Sequence, residues 1–385
     1  MRIAFIGQKG IPAKSGGVER HAEELAVQLA KRGHEVFVYV RNNYTDKKIM
    51  QYKGVNLVHI PNISTKNLDA ISHTFFSMVH ALFQSYDVAH VHSIGPNSLN
   101  FLLKIFNPNT VLIGTYHCQD YFHQKWGGFA KAYLKLGEYM TCTIPNRTIV
   151  VTQVLKNLIW EKFGTEAEMI SNGANVTWNE QSDKLAEWNL EKGKYILAVS
   201  RIIRHKGLHY LVAAFKELER KNLSQGKKLV IVGDGFYTTD YVKSLKQLAA
   251  ESENIIFVGA QTDEKLRQLF SHAYFFVQPS DSEGLSIALL EAMGYGKAVI
   301  VSNIPENLEA IGEAGVSFSQ GNIVDLQEKM ADWIANEEEM HAFAEAGKKR
   351  ARTVYNWEQI AEQTCRVYEE ELNKKGNKQF STQAE

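Results

Sequence analysis

Glu283 and Glu291 lie eight positions apart in SDSEGLSIALLEAMGYGKAVIVSN, a stretch that opens at Ser280. Glu283 follows the apolar run YFFVQPS, which reads as a strand, and precedes a greasy helical segment that stops at glycine. If Gly284, Leu285 and Ser286 begin that helix, their unpaired backbone N–H groups and the helix dipole favour an anion. On one continuous helix Glu291 would lie roughly 12 Å along the axis from Glu283 and turned about 80° from it. Acids so far apart cannot share a proton or grip one water. They can hold hydroxyl groups on either side of a bound phosphate. A nucleotide sugar, with hexose, pyrophosphate and ribose in line, has that layout. The plainer alternative is an acid that complements the dipole and a second, exposed glutamate.

A second group of charges follows the strand-like YILAVS. Arg201 and Lys206 are five apart in SRIIRHKG and precede a helical pattern. A guanidinium and an ammonium on one loop suit a pyrophosphate, each desolvated charge-assisted contact being worth roughly 1.5–3 kcal/mol. A solvated basic loop is the competing reading, and Arg204 and His205 fit it. Glycines mark a third place, GQKGIPAKSGGVERH, where Gly7 and Gly10 flank a turn and Gly16 and Gly17 precede a helix. Glycine there lets backbone approach a ligand. The pattern is neither G-x-G-x-x-G nor a Walker loop, and the second strand ends YVRNN, without the acid a dinucleotide site needs.

Histidines mark the fourth. His117 closes the strand-like TVLIGTYH, with Asp120 and His123 nearby. It could hydrogen-bond a sugar hydroxyl or serve as a structural histidine at a strand end. His90 and His92 alternate on one strand face in VAHVHS, but no third ligand at known spacing accompanies them, so a metal is not expected. Gly235 in VGDG and Gly259 in FVGA are turns that could meet a base through backbone groups. Lys131 and Lys135 share a helix face preceded by Lys125. They read first as a solvated face and second as a contact for an anionic membrane or lipid-linked acceptor.

Alternating strand and helix patterns must position these groups. RIAFIG, HEVFVYV, VAHVHS, TVLIGTYH and RTIVVT read as buried strands. A polar stretch from Trp178 to Lys194 reads as a linker, and a second series follows: YILAVS, KLVIVGDG, IIFVGA, YFFVQPS, AVIVSN and GVSF. Such alternation predicts an α/β protein of two facing Rossmann-like domains with parallel sheets, and ligands at the carboxyl ends of the strands in the cleft between them. The length of 385 residues agrees with two domains. Lys and Arg together number 43, as do Asp and Glu, so bulk charge gives no reason to expect nucleic acid. Three scattered cysteines suggest no disulfide framework and fit a reducing cytoplasm. MRIAFIGQKG reads as a strand rather than an export signal, and no apolar run approaches the ~18 residues of a spanning helix.

Taken in order, GGVERHAEELAVQLAKRGHEVFV, DVAHVHS, TYHCQD, SRIIRHKG, VGDG, FVGA and the Ser280 stretch resemble the retaining glycosyltransferases of the GT-B fold, family-4 type. GIPAKSGGVE and YHCQDYFHQKWG are similar to a rhamnosyltransferase-like subgroup. The resemblance implies a first domain over residues 1–175 on the acceptor side and a nucleotide-sugar domain over 190–355. It further implies a helix over 356–374 that crosses back to the first domain; the polar tail, 375–385, reads as disordered. Arg201 and Lys206 would hold the donor pyrophosphate, Glu283 the transferred sugar, Gly284 to Ser286 the sugar and distal phosphate, and Glu291 the ribose. Gly16 and Gly17 would close over the phosphate, and His117 would contact the sugar. The implied reaction moves a hexose or deoxyhexose to a saccharide or lipid-linked saccharide of a bacterial surface polymer, with retention and without cofactor or metal; the expected location is the cytoplasm, with the inner face of the cell membrane as the alternative. Cys118, where a glycine is common, and SNGAN, where PNG is common, depart from the family pattern on the acceptor side. A sugar-nucleotide epimerase or hydrolase on the same fold and a non-catalytic nucleotide-sugar binder are the competing readings.

Overall fold

The computed structural model describes all residues except 66–67, 120, 122–126, 175, 236–237 and 383–385. Asp120, His123 and Lys125 therefore lie outside the described residues. Two compact units emerge: Met1–Asn172 with Trp357–Glu385, and Gly173–Asn356.

The first unit runs β1 (Arg2–Ile6), α1 (Gly17–Lys31), β2 (Glu35–Arg41), β3 (Gln51–Tyr52), β4 (Val55–Ile60), α2 (Leu68–Leu82) and β5 (Val88–His92). It continues with α3 (Ile94–Asn97), α4 (Phe101–Phe106), β6 (Val111–Tyr116), α5 (Gly128–Thr143), β7 (Arg147–Val150), α6 (Gln153–Phe163) and β8 (Glu168–Met169). The sheet order is β3-β4-β2-β1-β5-β6-β7-β8, parallel except where β3 meets β4. β1 pairs with β2 on one side and β5 on the other, so connections reverse direction there. Unbroken apolar runs such as RIAFI and VLIGTY form these strands because helices cover both faces.

The second unit runs β9 (Tyr195–Val199), α7 (Leu208–Arg220), β10 (Lys228–Val232), α8 (Thr239–Ala249), β11 (Ile255–Gly259), α9 (Asp263–His272) and β12 (Phe276–Gln278). Then come α10 (Ile287–Gly294), β13 (Val299–Ser302), α11 (Pro305–Ile311), β14 (Val316–Phe318), α12 (Ile323–Ala335) and α13 (Glu337–Val354). Its six strands, β11-β10-β9-β12-β13-β14, are all parallel, and the order in which the chain adds them reverses between β9 and β12. Phe215, Phe275, Phe318 and Trp333 close its core.

The last helix, α14 (Trp357–Thr382), belongs to the first unit. Its Tyr368 hydroxyl lies 2.6 Å from His90 Nδ1 on β5, and Arg32 of the first unit donates to the Glu358 carbonyl at 2.8 Å.

Three expectations change. The polar Trp178–Lys194 segment is not an open linker. A 3-10 turn over Asp183–Trp188 buries Leu185, and Lys184 N donates to Gln268 of α9 at 3.0 Å. The chain passes between units at residues 172–173 and 356–357 instead. The C-terminal tail is helical through Thr382, because extending a formed helix costs less than nucleating one. Finally, α10 starts at Ile287, with Ser286 as its N-cap, so Gly284 and Leu285 precede the helix. Glu283 and Glu291 are thus not on one helix, and the axial spacing expected for a single helix does not apply.

Candidate functional site

In open parallel sheets, ligands sit outside the carboxyl ends of strands where the strand order reverses. In the second unit this point is flanked by the loops leaving β9 and β12, which carry Arg201, Lys206 and Glu283. Lys206 Nζ lies 2.6 Å from both carboxylate oxygens of Glu283. The side chains are 15% and 6% exposed, so water screens the pair little. Ser280 Oγ donates to Glu283 Oε1 at 2.6 Å. The Arg201 guanidinium makes no hydrogen bond or ion pair to any described residue, and its side chain is only half-buried.

Backbone geometry brings the two loops together. Gly207 has φ +65°, and a Cβ there would stand 1.8 Å from the Pro279 carbonyl oxygen. No side chain fits, so the residue after Lys206 presses directly on the segment before Glu283. Asp281 N donates to the His205 carbonyl at 2.7 Å, a second tie between the loops.

Beneath them runs a buried polar chain that the sequence reading missed. Ser286 Oγ donates to Gln278 Oε1 at 2.7 Å and accepts from Leu289 N, capping α10. Gln278 Nε2 donates to Asn307 Oδ1 at 2.9 Å, and Asn307 Nδ2 donates to the Ser302 carbonyl at 3.2 Å. Ser302 Oγ donates to the Ser280 carbonyl. Polar residues inside the otherwise apolar YFFVQPS and AVIVSN were the available signal. Glu306, in the first turn of α11, was also missed. Burial pushes its carboxyl above the usual range; its own amide opposes this, and the charges of Glu283 and Glu309 reinforce it.

Glu291 is buried on α10. Gly235 and Gly259 lie on the loops after β10 and at the end of β11. These turns are joined: Gly233 N donates to the Gly259 carbonyl at 2.9 Å, and the Asp234 carboxylate accepts from Ala260 N at 3.0 Å. Ile202 N, next to Arg201, donates to the Asp234 carbonyl at 2.9 Å. The cationic loop and both turns therefore form one rim.

The first unit builds a different rim where β1, β5 and β6 end. His117 is 6% exposed, and its Nε2 lies 3.3 Å from His92 Nδ1. His21 of α1 stacks edge-on to His117, ring centroids 4.7 Å apart, and its Nδ1 lies 2.8 Å from Asn172 Oδ1. Burial lowers His92 and His117 well below the ordinary histidine value, and neighbouring imidazoles add to the shift. Burial brings His21 down to about 4 against the opposing Asn172 bond. These rings are neutral hydrogen-bonding groups. Ring nitrogens of His21, His92 and His117 lie within 4.8 Å of one another, close enough to hold a small divalent ion. The fold supplies from α1 the third histidine that strand spacing did not. A single proton shared between His92 and His117 also satisfies that pair.

The glycine-rich loop before α1 is pinned by acids on that helix. Lys9 N donates to Glu19 at 3.2 Å and Ala13 N to Glu23 at 2.5 Å. Gly16, the N-cap, has φ +98° and comes close to Glu19. Gly17 meets open space, so no steric demand requires glycine there. Glu19, Glu23 and Tyr44, which accepts from Lys14 N and Ser15 N, are the loop's anchors that sequence reasoning missed.

A family profile described as "Glycosyltransferase Family 4" matches residues 15–178, and one described as "Glycosyl transferases group 1" matches residues 180–350. With two Rossmann-like units whose structural neighbours have the GT-B fold, these matches make the chain a GT-B glycosyltransferase of the group 1 and family 4 type. It is 26% identical to an uncharacterized glycosyltransferase of Methanocaldococcus jannaschii over 96% of this chain and 98% of that protein. Its fold is similar to sucrose-phosphate synthase from Thermosynechococcus elongatus, with TM-score 0.80 and 20% identity over 96% of this chain and 98% of that one. It is also similar to HepE from Anabaena in complex with UDP-glucose, with TM-score 0.78 and 18% identity over 96% and 100% of the two chains.

Proposed function

We propose that this glycosyltransferase transfers a hexose or deoxyhexose from a nucleotide sugar, with retention, to a saccharide or lipid-linked saccharide of a bacterial surface polymer. The observation that carries this reading is the Lys206–Glu283 pair at the strand-order reversal of the second unit, on the same strand-end loop as Arg201, whose guanidinium bonds no described residue. A diphosphate competes for Lys206 and recruits Arg201, releasing Glu283 to accept from sugar hydroxyls. Glu291 would hold the ribose, and the joined Gly235 and Gly259 turns the base. The complex of HepE with UDP-glucose supports a nucleotide-sugar donor.

In the reaction, the bond from the anomeric carbon to the diphosphate oxygen breaks as the ring becomes oxocarbenium-like. The acceptor hydroxyl oxygen bonds the same face of that carbon. The departing phosphate oxygen takes the hydroxyl proton, leaving a glycoside and a nucleoside diphosphate. Arg201, Lys206 and the amides of Gly284 to Ser286 stabilise the growing diphosphate charge in a preorganised setting. His117 offers a neutral imidazole to a hydroxyl. These groups do the work usually assigned to a metal, so turnover should survive chelation. A loss in EDTA restored by zinc would overturn the metal-free route and implicate the His21, His92 and His117 trio.

Thermal-shift titration with UDP-glucose, GDP-mannose and dTDP-rhamnose tests donor binding, since a ligand specific for the folded form raises Tm. At least one should do so in wild-type protein and fail in Arg201→Ala. Proton NMR of the product made from an α-linked donor should show an α-glycoside. An inverted product ends the retaining reading, and donor consumption without any acceptor supports an epimerase or hydrolase.

A further inference from the structure

Four histidines pack together at the ends of β5 and β6, and they are not equivalent. Both ring nitrogens of His90 are engaged, Nδ1 lying 2.6 Å from the Tyr368 hydroxyl and Nε2 2.5 Å from Thr115 Oγ1. The other three rings are less well satisfied. His21 Nε2 and His92 Nε2 are buried and have no hydrogen-bond partner among the described residues. A buried polar atom left unpaired costs about 1–3 kcal/mol, so two in one cluster call for a physical cause.

The partners of these rings show which nitrogens are open to a ligand. Asn172 Oδ1 lies 2.8 Å from His21 Nδ1. An amide oxygen only accepts, so Nδ1 carries the proton and Nε2 the lone pair. An oxygen behind the ring is how metal-binding imidazoles are commonly oriented. His92 Nδ1 and His117 Nε2 are 3.3 Å apart, long for a hydrogen bond. Zinc–nitrogen bonds of ~2.0–2.1 Å define a tetrahedron with an edge of about that length. One nitrogen from each of His21, His92 and His117 lies within 4.8 Å of the others, and histidine χ2 is a soft torsion, so the rings can turn onto one centre. The rings are 3%, 0% and 6% exposed. Phe5 packs on His92 and Trp357 of α14 on His21, centroids 4.9 Å and 5.6 Å apart. All of these residues belong to the first unit.

We propose that His21, His92 and His117 form a site for a transition-metal dication such as zinc, and that the bound ion inhibits sugar transfer by occupying the His117 nitrogen. Three neutral imidazoles without a carboxylate suit zinc, copper or nickel rather than magnesium or calcium. They leave a fourth tetrahedral position for water. The inhibition rests on the contact proposed between His117 and a hydroxyl; the binding does not. Transfer without metal and inhibition by metal agree, because the diphosphate charge is met by Arg201 and Lys206 and not at the histidines.

The test uses the full chain, stripped with EDTA and desalted. Zinc chloride should raise its Tm and magnesium chloride should not. Cobalt(II) should give the visible absorption of a tetrahedral, nitrogen-ligated centre, displaced by zinc, with no thiolate charge-transfer band in the near ultraviolet. His21→Gln should weaken zinc binding about 100-fold and Asn172→Ala, which keeps all three ligands, about tenfold. The second variant reads the site even if the first folds poorly. Zinc that saturates wild-type protein should slow its turnover about tenfold, the worth of one neutral hydrogen bond, and leave His21→Gln at its own zinc-free rate.

A Tm unmoved by zinc overturns the proposal and leaves the donor-binding reading intact. An equal zinc response in wild type and both variants also overturns it. So does a thiolate band, which would place the ion at Cys365 and His34, 3.3 Å apart. Zinc that binds the three histidines without slowing turnover overturns the inhibition and, with it, the contact given to His117.

Discussion

The two units share a parallel strand order that reverses beside their first strands, β1 and β9, but terminate their strands in opposite chemistry. In the second, β9 and β12 deliver an ammonium, a guanidinium and a carboxylate, two of them locked at 2.6 Å. In the first, β5 and β6 deliver His92 and His117, held uncharged by burial. One edge is suited to an anion, the other to hydroxyl groups. The difference teaches that the fold fixes where side chains converge, while residue type at a few strand ends decides what converges there.

The sharpest break in that comparison is to remove the charges of the second unit. Lys206→Ala should lower kcat/KM about 1,000-fold and also lower Tm, because Glu283 loses its ionic partner. Arg201→Ala should cost about 100-fold with Tm unchanged, since no described residue depends on that guanidinium. Full activity in either variant removes that residue from the proposed donor site.

Gly207→Ala tests whether the charges meet because backbone meets backbone. A methyl group 1.8 Å from the Pro279 carbonyl oxygen forces the loops apart, at a cost of about 3 kcal/mol in urea unfolding. Wild-type stability would show that the loops tolerate separation. In the first unit, His117→Ala should reduce turnover only about tenfold, one neutral hydrogen bond's worth, and leave the donor-induced Tm rise intact. A loss as large as that of Lys206→Ala would erase the contrast between the two edges.

The smallest effect is pH-dependent and concerns Glu306. Its folded pKa is raised by burial, so its contribution to stability is present below the ordinary carboxylate value and lost as pH rises through the folded value. Glu306→Gln should therefore raise Tm modestly at pH 7, with the gain vanishing near pH 4. A constant gain across that range would mean the carboxyl is not the cause.

Much of this was readable from residue order. Strand and helix alternation gave both sheets, and the charged strand-end motifs pointed to Arg201, Lys206 and Glu283, because a strand end has one place in a parallel sheet. Helix starts were less legible. Gly284 and Leu285 look like an N-terminus by composition, yet Ser286 takes the cap because its hydroxyl reaches both Leu289 N and Gln278. Polar composition around Leu185 and beyond Gly376 suggested open chain, since local polarity does not report a partner surface elsewhere.

By itself the sequence determined the two-series architecture, the clustering of cations after YILAVS and the acid after YFFVQPS, because periodicity and strand-end position are local properties. The tertiary structure decided that Lys206 grips Glu283 and that His21 joins His92 and His117. These are meetings of residues distant in the chain. Their geometry follows from close packing, here from a glycine pressed on a carbonyl, and sequence spacing carries no measure of that.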